Sequence, residues 1–284
     1  GLLLSNAGYE LVFADVADAL IEALANSDSY AVHEVGDDPR TTVVRGYSAL
    51  NSAKQAEELT AAIASADIVT TAVGAHILKF VAPAIAAGIA ARPDGAPKVA
   101  VMACENGING TDILRGEVEL AYAGDDLADR ALFANTAVDR IVPAQDPNAG
   151  LDVTVENYFE WAIETPPFGG RVPEIPGVTW VDDLEPYIER KLFTVNTGHA
   201  TAAWFGHAAG IEKISDALAE PSVAAKVADA LADTKSLIVA KHGVDETVQT
   251  AYVSKILKRF ANPHLPDTTL RVGRGPLRKL SRHD

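Results

Sequence analysis

The sequence is poor in several residue types, and each shortage excludes something. Of 284 residues one is cysteine (Cys104), which rules out a disulfide framework and a CxxC metal site. No apolar run approaches the roughly 18 residues of a membrane span, and no charged-then-apolar leader opens the chain. Basic residues are outnumbered, 24 against 39 acids, for a net charge of −15. Such a surface repels nucleic acid and anionic membranes. These features predict a soluble, cytoplasmic protein with neither kind of partner. What is present is ordinary globular usage, 48% hydrophobic and 22% charged, in a chain long enough for about two domains.

The charge is unevenly spread. Residues 258–282 hold seven bases and one acid, Asp267, a net +6 that leaves −21 for the rest. That stretch reads either as a basic tail offsetting an acidic body or as an anion site. The opening is unusual too. Residue 1 is glycine, the single methionine is Met102, and Gly1-Leu2-Leu3-Leu4 reads as mid-helix text with no cap before it.

Apolar runs at 9–15, 67–73 and 98–104 read as buried parallel strands. Alanine-rich helical patterns at 17–26, 53–65 and 76–90 separate them. Short strands at 32–35 and 41–44 flank a Gly-Asp-Asp-Pro turn. This alternation predicts an α/β, Rossmann-like doubly wound parallel sheet, with ligands at the carboxyl ends of its strands, where Asp15, Gly74 and Asn106 fall. After about residue 149 the pattern changes. Strand-like pieces at 151–156 and 171–180 precede mostly helical text from 183 to 261. The expected division is a cofactor domain at 1–150 and a mainly helical substrate domain at 151–284.

An acid ending a strand is the second half of the dinucleotide fingerprint, and Asp15 favours NAD over NADP by binding ribose hydroxyls. It equally suits a residue that caps the next helix. The first half of the fingerprint, GxGxxG, occurs nowhere in a strand-to-helix setting. With the uncapped start, this predicts a chain cut just after its phosphate loop, lacking the first strand and binding NAD poorly. Residues 191–199 supply the catalytic signal. On one continuous helix, at ~100° per residue, Lys191, Asn196 and His199 share a broad face. The apolar residues between them predict burial, which lowers a lysine pKa and makes a general base. A snorkelling lysine beside a capping asparagine fits the same spacing. No HExxH zinc site and no GxSxG elbow is present, and Cys104 reads as a small core residue.

The string Lys-x4-Asn-x2-His at 191–199 resembles the catalytic signature of the polyol-specific long-chain dehydrogenases. Asn135–Pro143, containing Val-Asp-Arg-Ile, and Ala103-Cys104-Glu105-Asn106 are similar to two further strings of that family, and so are 259–265 and 271–280. The resemblance covers essentially the whole chain and implies truncation at both ends. It implies metal-independent, NAD-linked interconversion of D-mannitol 1-phosphate and D-fructose 6-phosphate. An unphosphorylated polyol 2-dehydrogenase, a hexuronate reductase and an inactive fragment are the alternatives. By the same resemblance Lys191 is the base, Asn106 and Asn196 hold the reacting oxygen, His199 orients substrate or bonds that oxygen, and Asp139 supports the site. Asp15, Val73, Gly74 and Asn106 are expected at the cofactor. Arg259, Arg271, Arg274, Arg278 and Lys279 are candidates for the sugar phosphate. Monomer and homodimer both remain open.

Overall fold

A computed structural model describes residues 1–281. The chain begins with α1 (Leu2–Asn6), β1 (Leu11–Asp15), α2 (Asp18–Ala25), β2 (Ser29–Val35), β3 (Arg40–Arg45) and β4 (Tyr47–Asn51). It continues through α3 (Ala56–Ser65), β5 (Ile68–Thr71), α4 (Leu78–Ala90), β6 (Val99–Ala103), α5 (Gly110–Ala121) and α6 (Leu127–Arg130). Five strands follow: β7 (Ala131–Phe133), β8 (Thr136–Asp139), β9 (Val153–Glu156), β10 (Glu160–Glu164) and β11 (Val178–Val181). The remainder is helical. It comprises α7 (Glu185–Arg190), a π-turn (Lys191–Asn196), α8 (Thr197–Ala208), α9 (Ile214–Ala219), α10 (Pro221–His242), α11 (Glu246–Phe260), α12 (Thr269–Val272) and α13 (Pro276–Ser281).

The parallel pairs are those of a Rossmann-like domain. β1 runs beside β4, and β5, β6 and β7 form a parallel sheet in that order. Antiparallel pairing is added at β2 with β3 and at β8 with β10. β9 and β10 pair back onto strands that precede residue 150, so the sheet region runs to Val181 before the helices take over. The piece expected at 171–180 forms a strand only from Val178. Pro173 and Pro176 lie in its irregular first part, where each removes a backbone donor.

β6 explains its own apolar run. All five of its residues are buried. Val99, Val101 and Ala103 pack against Leu78, Ile85 and Ile89 of α4 and Leu114 and Val118 of α5. Ala100 and Met102 face the other way, onto Trp161, Ile163 and Phe168. A strand covered on both faces has no reason to alternate. The helical region has a separate core, with Val195, Ala202, Leu231, Ile256 and Phe260 at its centre. Among the described residues no helix is long and apolar enough to cross a membrane.

Candidate active site

Two strand ends and one helical segment meet. Asn106 follows β6 by three residues, and its Oδ1 accepts a hydrogen bond from Lys191 Nζ, 85 positions away in sequence. Lys191 opens the π-turn, not an ordinary helical turn as its spacing suggests. In the π-turn the backbone bonds run five residues apart, as from Thr197 N–H to the Leu192 carbonyl. That looser winding turns residue 196 closer to the face of residue 191, where an α-helix would separate them by ~140°. Lys191 and Asn196 therefore share a face more closely than a regular helix allows. Gln249 of α11, fully buried, donates from Nε2 to Thr194 Oγ1 at 3.2 Å and ties the turn to the helix beside it.

Desolvation pushes the Lys191 pKa below the ordinary lysine value. The Asp139 charge opposes that and the Arg259 charge adds to it. The Asn196 side chain makes no hydrogen bond to protein among the described residues. His199, in the first turn of α8, stacks on Phe260 at 4.6 Å between ring centroids with 12° between planes. Its Nε2 lies 3.3 Å from Asp267 Oδ2.

Asp139 and Arg259 belong to one buried cluster. Arg259 Nη1 and Nη2 donate to the two Asp139 oxygens at 2.7 and 2.8 Å, and its Nε and Nη2 donate to Glu156 at 2.9 and 2.5 Å. Glu156 also accepts from Ile141 N–H. Beside them Arg140 bonds Glu34 at 2.5 Å and the Glu156 carbonyl at 2.9 Å. The Arg259 guanidinium, expected among the phosphate candidates, is engaged by two carboxylates inside the protein. Arg271 is partly spent too, with Nε and Nη2 each 2.7 Å from Asp267. Arg274 Nε bonds the Arg271 carbonyl at 3.1 Å, and Lys279 Nζ bonds the Val272 carbonyl. Arg278 lies in α13, and its side chain is outside the described residues.

Asp15, expected at the cofactor, ends β1. Its Oδ1 accepts from Ala17 N–H at 2.8 Å in the turn that leads into α2, while Oδ2 has no protein partner among the described residues. Val73 and Gly74 lie in the loop after β5. Both donate their N–H groups to Glu105, at 3.1 and 2.7 Å, and Thr71 Oγ1 donates to the same carboxylate at 2.7 Å. Gly74 has φ +95°, and a Cβ there would come within 3.1 Å of the His76 ring, so the position calls for glycine. Glu105 thus latches the β5 loop to the β6 loop that carries Asn106. Sequence reasoning quoted Glu105 but gave it no role. It also passed over Glu156, Gln249 and Asp267, although Asp267 is the one acid within a run of seven bases. Among the described residues no cluster of three His, Cys, Asp or Glu side chains could hold a metal ion. A cavity of about 510 Å³, lined in part by Glu10, Asp67 and Glu174, opens at the amino ends of β1 and β5, away from these groups.

A model described as the mannitol dehydrogenase Rossmann domain matches residues 1–177, and one described as the mannitol dehydrogenase C-terminal domain matches residues 183–283. The chain belongs to the mannitol dehydrogenase family. It is 64% identical to a mannitol-1-phosphate 5-dehydrogenase of Paenarthrobacter aurescens (strain TC1), over 100% of this chain and 75% of that protein. It is 53% identical to one of Aspergillus niger, over 99% of this chain and 74% of that protein. Its fold matches Pseudomonas fluorescens mannitol 2-dehydrogenase, solved with NAD and D-mannitol, at a TM-score of 0.77 and 21% identity over 95% of this chain and 66% of that one. A D-sorbitol dehydrogenase in substrate-free form matches at 0.78 and 20% identity, over 98% of this chain and 69% of that one. The chain is thus an oxidoreductase of the mannitol dehydrogenase family, a polyol dehydrogenase built on a Rossmann fold.

Proposed function

We propose that this mannitol dehydrogenase relative interconverts D-mannitol 1-phosphate and D-fructose 6-phosphate in the cytoplasm, with NAD as cofactor, Lys191 as general base and no metal. The observation that carries the reading is the hydrogen bond from the desolvated Lys191 ammonium to Asn106 at the carboxyl end of β6. The names of the relatives at 53–64% identity support the substrate.

The residues fit a nicotinamide dinucleotide at the adenosine end, where the unpartnered Asp15 Oδ2 suits a ribose hydroxyl and disfavours a 2′-phosphate. Val73 and Gly74 would line the cofactor along the β5 loop. When bound, the nicotinamide ring supplies the hydride chemistry. The chain's own groups handle the oxygen and its proton. Neutral Lys191 takes the hydroxyl proton during oxidation and returns it during reduction. Asn106 presents its Oδ1 to Lys191, which leaves its Nδ2 to donate to the reacting oxygen. Asn196 has an amide free for the same oxygen, and two donors aimed there stabilise negative charge as it develops. Asp139 acts at a distance, as a charge braced by Arg259 beside the base. The substrate phosphate falls to Arg274, Lys279 and the remaining Nη1 of Arg271.

The test is NADH oxidation with fructose 6-phosphate beside unphosphorylated fructose. A strong preference for the phosphorylated sugar is expected. Turnover of fructose alone would overturn the phosphate assignment and move the protein to the unphosphorylated polyols.

A further inference from the structure

Asp267 sits in no catalytic string, yet it is among the most constrained side chains near the site. It is 3% exposed. Arg271 grips it with two bonds of 2.7 Å, and the Thr268 N–H donates to its Oδ1 at 3.0 Å. Its backbone is pinned as well: Ile214 N–H donates to the Asp267 carbonyl at 3.1 Å, and Lys213 and Thr268 form a bridge. Among the described residues the remaining polar neighbour of the carboxylate is His199 Nε2, at 3.3 Å. Phe260 covers a face of that imidazole, so the ring cannot swing away. Burial raises the Asp267 pKa, but the bonds from His199 and Arg271 outweigh it and hold the group down at about 2. The carboxylate is therefore ionised and can only accept. An acceptor at Nε2 requires the proton there, and a neutral ring then carries its lone pair on Nδ1. Nδ1 meets no hydrogen-bond partner among the described residues.

We propose that Asp267, braced by Arg271, is a positioning residue that keeps the His199 proton on Nε2, so that Nδ1 accepts a hydrogen bond from a hydroxyl of the bound sugar. This rests on the polyol phosphate reading above and adds a direction to it: His199 accepts from substrate, while the donors to the reacting oxygen are the asparagines.

The experiment has two arms. In the first, the chain labelled with ¹⁵N-histidine is studied by long-range ¹H–¹⁵N NMR at alkaline pH, with the His199 signals identified by comparison with His199→Gln. The proton is expected on Nε2, and in Asp267→Asn, whose amide can turn its NH₂ toward the ring, it is expected to move toward Nδ1. In the second, Asp267→Asn is expected to lose about tenfold or more in kcat for fructose 6-phosphate, the scale of one charged hydrogen bond, with the KM for NADH unchanged. A purely structural carboxylate would lower stability and leave the tautomer alone. A wild-type proton on Nδ1, or an Asp267→Asn protein with unchanged tautomer and turnover, overturns the proposal. Should Asp267→Asn fail to fold, Arg271→Met, which loosens the brace, is expected to mix the two tautomers, and an unmixed ring overturns the proposal in its turn. A wild-type protein inactive on fructose 6-phosphate would sink the substrate reading, while the NMR arm still decides the role of Asp267.

Discussion

Lys191 shows how a single side chain acquires a chemical task from its surroundings. Removal from water disfavours its charged form, and Arg259 nearby adds to that, while Asp139 partly restores it. Only the neutral amine can accept a proton. Oxidation is therefore expected to rise with pH through a limb below the ordinary lysine pKa, and reduction to fall over the same range. Rate profiles in the two directions test this. A limb at the ordinary value, or parallel trends in the two directions, would contradict it. Lys191→Ala is expected to abolish turnover across the whole profile with cofactor affinity nearly intact, as fluorescence titration with NADH would report. Lys191, Asn196 and His199 could be singled out as candidates from their spacing, and Asn106 from the family resemblance. Asp267 and Glu156 could not, because their role lies in which partner they meet. Those partners, His199 and Arg259, are 68 and 103 positions away along the chain.

At the scale of the element, α8 carries His199 at one end and a packing contact at the other. A Cβ on Gly206 would stand 2.6 Å from the Ala217 Cβ of α9 and 3.0 Å from Thr269 Cγ2, two residues beyond Asp267. Gly206→Ala must push these segments apart, and a loss of about 1–3 kcal/mol is expected from overpacking. Urea denaturation measures it, and an unchanged midpoint would contradict the close approach. β1, β5 and β6 were readable from their apolar runs, although only β6 of the three is buried on both faces. β4, β7, β8 and β10 were not, since three to five residues hold too few alternations to stand out. The π-turn was hidden for a different reason. Its letters fit an ordinary helix, and the extra residue in the turn is accommodated by tertiary partners such as Gln249.

At the scale of the whole molecule, the end of α11 joins the helical region to the sheet. Arg259 reaches Asp139 on β8 and Glu156 on β9, and the next residue, Phe260, lies against His199. Arg259→Met strands two buried carboxylates and is expected to cost about 3–5 kcal/mol. Calorimetry should show that loss, and a variant as stable as the parent would show the cluster to be dispensable. Total stability for a domain is only about 5–15 kcal/mol, so the cluster bears on how this sequence can drift over generations. None of the three charges can be exchanged singly without losing much of the margin that keeps the chain folded. Positions 139, 156 and 259 are therefore expected to change together across relatives, and a lineage that alters one of them is expected to hold the change that answers it.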